Sequence, residues 1–150
     1  MKQISFSLIF LLLAACAAQP QQGLPLPGED PDKTVLPDKN TSSAVMSLLD
    51  KAREATLAGD YQRAEVLLER TVRIEPRNAS LWNYLAKLRL QQGRYQEAIG
   101  LATKSNNLAR DNKTLLVDNW RIIAHAKYQL GDYPGAEKAQ NKAGEIRNEQ

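Results

Sequence analysis

The sequence has one cysteine and one histidine, and these two scarcities exclude much at once. One cysteine closes no internal disulfide. With His125 as the single imidazole, the chain cannot assemble a structural zinc site, which takes about four nitrogen or sulfur ligands. No metal and no cofactor are expected. Charge of one sign is also scarce. The formal net charge is +3 over 150 residues, short of the basic stripe that nucleic-acid binding requires. No apolar run reaches the roughly 20 residues of a membrane span. Glycine-rich phosphate loops, HExxH pairs and nucleophile elbows are missing. Glu65 and Glu69 read as ordinary helix-surface acids, and His125 lies in IIAHAKY without a motif around it. The chain is expected to be no enzyme and to take no small-molecule substrate.

What is present begins with the amino terminus. Lys2 supplies a positive start, residues 4–15 (ISFSLIFLLLAA) form an apolar stretch, and small residues lead into Cys16. That is the order of a secretory signal peptide: a charged region, about 7–15 apolar residues, then a small-residue cleavage site. Residues 1–15 are read as that signal. Leu13-Ala14-Ala15-Cys16 resembles the lipobox of bacterial lipoproteins. The resemblance implies lipidation of the Cys16 sulfur, cleavage just before it, and acylation of the new terminus. Two or more acyl chains make a stable anchor where one does not. Ala17 follows, not the aspartate that resembles an inner-membrane retention signal. The expected location is therefore the outer membrane, lipid-anchored and facing the periplasm.

A tether is expected over 16–43. Residues 17–43 hold five of the seven prolines and no aromatic residue. Such a stretch buries too little apolar surface to offset its ordering entropy, and proline favours an extended spacer. Its 27 residues reach at most roughly 90 Å at about 3.3 Å each.

A repeat organises the rest. GDYQRAE (59–65), GRYQEAI (93–99) and GDYPGAE (131–137) align, with glycines 34 and 38 residues apart and the tyrosines and alanines in step. A 34-residue period with this content resembles the tetratricopeptide repeat, a helix–turn–helix unit. The family's pattern is met at Leu48, Ala52, Leu68 and Pro76; at Trp82, Leu85 and Ala86; and at Trp120, Ile123, Ala124 and Ala143. Arg110 replaces a terminal proline, and four extra residues within 106–117 make either one more helical turn or a longer loop. The expected fold is all-α: a three-repeat solenoid over 44–150, with repeats at about 45–78, 79–112 and 117–150. Trp82 and Trp120 are expected in the core, and the last helix as a solubilising cap.

In this family the first helices of successive repeats line a concave surface that holds protein segments. Carried over, the groove positions are Leu49, Arg53 and Leu57, then Asn83, Lys87 and Gln91, then Arg121, His125 and Tyr128. Arg53, Lys87 and Arg121 give one cation per repeat. Residues 44–150 hold 17 Lys+Arg against 13 Asp+Glu, near +4, whereas the tether has two lysines and four acids, near −2. An extended partner segment with some acidic character is implied. The clamp by which chaperone-binding members hold a terminal carboxylate is not reproduced, since Leu49 and Arg53 occupy its lysine and asparagine positions. Layout, size and the stretch SLWNYLAKLRLQQGRYQEAI resemble the small repeat lipoproteins of Gram-negative bacteria that activate class A penicillin-binding proteins. The alternative is a pilotin-like assembly factor for a secretin or type IV pilus, although such factors usually carry more than three units.

Overall fold

The computed structural model describes residues 37–149. The expected signal peptide, Cys16 and the tether as far as residue 36 lie outside the described residues. Six helices follow one another: α1 (Ser43–Leu57), α2 (Tyr61–Ile74), α3 (Ala79–Gln91), α4 (Tyr95–Ala109), α5 (Lys113–Gln129) and α6 (Tyr133–Asn148). No strand occurs among the described residues. The fold is the expected all-α solenoid.

Each hairpin turns on one device. Gly59, Gly93 and Gly131 take φ of 76, 73 and 80°, a region that costs a residue with a Cβ. The next residue is then the N-cap of the second helix. Asp60 Oδ1 accepts from the Arg63 amide at 3.0 Å, and Asp132 Oδ1 from Gly135 at 2.9 Å, satisfying an orphan donor of the first turn. In the second unit this position is Arg94, which makes no side-chain cap. Ala64, Ala98 and Ala136 are buried, so the paired helices approach closely.

The pairs α1/α2, α3/α4 and α5/α6 pack within themselves, α2 on α3 and α4 on α5 join them, and α3 meets α5 directly. One apolar cluster gathers Val45, Leu49, Leu68, Leu81 and Leu85, and a second gathers Leu90, Ala98, Ala102, Ile122 and Ile123. Trp82 and Trp120, expected in the core, are only partly buried and pack against the edges of these clusters. The Trp82 indole N–H donates to the Pro76 carbonyl at 2.8 Å. The four extra residues resolve into an added turn. Asn112 Oδ1 accepts from Leu115 N at 3.1 Å and starts α5 at Lys113, four residues before the expected repeat boundary at 117.

The start of the domain differs from expectation. Residues 37–43, assigned above to the tether, sit against the junction of α2 and α3, where the first repeat meets the second. Ser80 Oγ donates to Asp38 at 3.0 Å, Asn78 Nδ2 donates to Thr41 Oγ1 at 2.8 Å, and the Ser42 amide and hydroxyl both donate to Glu75. Ser42, which caps α1, and the residues just before it are thus tied to the α2–α3 junction.

Candidate functional site

The first helices present a pocket of about 160 Å³ between α1 and α3. Leu49, Ala52, Leu68 and Leu88 make its floor, and Arg53, Thr56, Tyr84, Lys87 and Gln91 make its rim. A cavity of about 150 Å³ lined by aliphatic groups holds a benzene ring, so this one has room for a single large apolar side chain. Arg53 is mostly exposed, 3.5 Å from Asp50 one turn earlier. Tyr84 lies at the centre of the charges. Burial raises its pKa first. The Arg53 guanidinium, hydrogen-bonded to it, opposes that rise, and Asp118 and Asp38 add to it. The pocket is therefore apolar below and electrically mixed above.

The structure brings Leu49, Arg53, Lys87 and Gln91 together at this pocket and separates the other expected groove residues. Asn83 is a correction. It is fully buried, and its amide donates to Asp118 at 2.7 Å and to Asn119 at 2.8 Å, so it is closed to a ligand. Asn119 donates to Ser105 Oγ, and Ser105 Oγ donates to the Ala79 carbonyl, both at 2.8 Å. This buried polar chain joins α3, α4 and α5. Buried polar groups persist when hydrogen-bonded in this way. Lys87 belongs to the same assembly, 2.8 Å from Asp118, whose side chain is 6% exposed. Its charge is largely compensated. Arg121 lines a different recess, with Gln140, Gly144 and Arg147 of α6. The expected single row of three cations is thus a pair at one pocket plus a third elsewhere. His125 Nε2 lies 3.4 Å from Gln129 Nε2, and Tyr128 meets Tyr133 edge-on at 5.3 Å. Leu57 is strongly exposed.

Sequence reasoning missed Tyr84 and Asp118. Tyr84 was legible as a helix position, one turn after Ser80 and three residues before Lys87, on the face that turns toward α1. Asp118 was masked because its partner Lys87 lies 31 residues away.

A second charged centre lies among α2, α3 and α4. Arg89 is buried, 2.6 Å from Glu65, 3.1 Å from Glu69 and 3.3 Å from Glu97. Arg94 bridges Glu65 and Glu97 at 3.1 and 2.7 Å, which explains an arginine in place of the capping aspartate. The Glu65 carboxyl is lowered from 4.5 to about 2, first by the hydrogen bond from Gln92 and then by Arg89 and Arg94, against a burial penalty. These ion pairs tie α2, α3 and α4 to one another. Among the described residues no cluster of three or more His, Cys, Asp or Glu has the arrangement of a metal site.

Comparison with known proteins agrees with this geometry. A tetratricopeptide-repeat family profile matches residues 55–116. No curated protein matches the chain. Among solved structures, the globular C-terminal domain of P. aeruginosa LpoP superposes with a TM-score of 0.67 at 33% identity, over 69% of this chain and 97% of that one. The N-terminal domain of stress-induced protein-1 (STI-1) from C. elegans superposes with a TM-score of 0.66 at 15% identity, over 73% of this chain and 88% of that one. The second likeness concerns fold alone. Stacked helical repeats of this kind are protein-interaction scaffolds, whose extended concave faces bind other chains. With 33% identity across almost the whole of the LpoP domain, and three glycine-turned helix pairs, the chain belongs to the tetratricopeptide-repeat family.

Proposed function

We propose that the protein is a periplasm-facing outer-membrane lipoprotein, anchored through Cys16, whose solenoid binds and activates a class A penicillin-binding protein. The observation that carries this reading is the 33% identity to the LpoP C-terminal domain over 97% of its length. It stands beside the lipobox-like Leu-Ala-Ala-Cys run and the sequence resemblance to lipoprotein activators of such synthases. The groove supplies the means. An apolar side chain of the partner enters the α1–α3 pocket, and a neighbouring carboxylate meets Arg53 at its rim. A synthase rooted in the inner membrane is reached because the tether separates domain from anchor.

The test is glycan-strand polymerisation by a purified class A penicillin-binding protein with and without this protein. The rate should rise on addition, and Arg53→Glu with Tyr84→Ala should abolish the rise while the helical circular dichroism persists. No binding and no rate change would remove the synthase. Capture of a secretin or pilus subunit instead would install the pilotin-like alternative.

A further inference from the structure

We infer that the α1–α3 pocket is also the docking site of the chain's own tether, with residues 24–32 (LPLPGEDPD) as occupant. Where the described chain begins is the first argument. Asp38 accepts from Ser80 Oγ at 3.0 Å, so the chain arrives on α3 one helical turn before Tyr84. Asp38 thus sits about one turn of α3 from Tyr84, a lining residue of the pocket, and it is among the charges that act on the Tyr84 hydroxyl. Residues upstream of Pro37 start there.

Reach is the second argument. From Ser80 to Gln91 the groove runs about 16 Å along α3, at about 1.5 Å per residue. Asp32 lies six positions before Asp38, a span of up to roughly 20 Å when extended. The acids Glu29, Asp30 and Asp32 can therefore reach the pocket rim without displacing residues 37–42.

Chemistry is the third. The pocket accepts one large apolar side chain, and the segment offers Leu24 and Leu26. The rim carries Arg53, mostly exposed, and the segment offers three carboxylates. Its prolines limit the conformations lost on docking. Attachment to the same chain sets an effective concentration on the order of millimolar, so even weak contacts fill the site. A partner that takes the groove then releases the tether. Binding and reach are coupled: the free domain is held closer to its membrane and the engaged one extends. That consequence rests on the groove being the partner site, but the docking itself does not.

The test needs no partner. Amide NMR spectra of the processed chain, with Cys16→Ala replacing the lipid, are compared with those of the same chain bearing E29Q/D30N/D32N and L24S/L26S. Differences should concentrate at Arg53, Thr56, Tyr84, Lys87 and Gln91. The contribution of the acid substitutions should shrink several-fold at 1 M salt, where screening is short-ranged. A synthetic peptide of residues 22–34, added to the substituted chain, should restore the original shifts. Spectra that superimpose throughout α1 and α3, or differences confined to α2, α4 or α6, overturn the inference. Loss of tether docking with synthase capture intact leaves the proposed function standing, and the reverse result separates the two in the other direction.

Discussion

Arg89→Met isolates the charged centre between the first two repeats. The side chain is 5% exposed and touches three carboxylates. Removing one member of a buried ion pair costs about 3–5 kcal/mol when the other charge stays buried. Here Glu69 and Glu97 are 40% and 50% exposed and regain water, and Glu65 keeps Gln92 and Arg94. Methionine also retains much of the packing volume. The net loss should be about 2–3 kcal/mol, at or just below the bottom of that range. For a domain near 100 residues this lowers Tm by roughly 10–15 °C. Urea unfolding followed by helical circular dichroism at pH 7 measures it. Acid adds a second readout. Glu65 titrates at about 2 folded against 4.5 ordinarily, so its stabilisation is complete above about pH 5 and is lost as pH falls toward 2. Without Arg89 the folded carboxyl returns part of the way to its ordinary value, and this acid-sensitive part should shrink. A loss under about 0.5 kcal/mol, the scale of an ordinary surface change, would refute the reasoning, as would an unchanged acid profile.

Three further outcomes follow. Arg110, at φ 48° between α4 and α5, is a non-glycine residue in a strained conformation, and Arg110→Gly should stabilise the domain by about 1 kcal/mol in the same urea assay. Asn83→Ala removes both donors that hold Asp118 and Asn119, and it should cost about 2 kcal/mol while leaving the pocket rim and partner capture in place. Cys16→Ser should end labelling by a palmitate analogue and release the protein from the outer-membrane fraction. Retention of both would remove the anchor from the proposal.

The helices and their turns were legible because their cause is local. A glycine at positive φ, a tyrosine two residues on and a small alanine recur in each unit, and period alone places them on facing helices. The extra turn of α5 was one of two readings of four surplus residues, and the Asn112 cap decided between them. The pocket was half legible. Arg53, Lys87 and Gln91 follow from repeat positions, yet the same rule put Asn83 in the groove. What closes Asn83 to solvent is its bonding to Asp118 and Asn119, a pairing across 35 and 36 residues that no periodicity reports. The early start of the domain was hidden for a similar reason. Pro37 and the proline-rich run before it mark 37–43 as spacer, whereas its order comes from hydroxyl, amide and carboxylate partners on Glu75, Asn78 and Ser80.

The central claim is that this solenoid binds a class A penicillin-binding protein through its concave face. Amide hydrogen exchange on the full chain, with and without the periplasmic part of such a synthase, tests it most directly. Slowed exchange should be confined to α1 and α3 around Arg53, Tyr84 and Gln91, and Arg53→Glu with Tyr84→Ala should abolish it. Protection centred instead on the outward faces of α2 and α4, or none at saturating synthase, would contradict it.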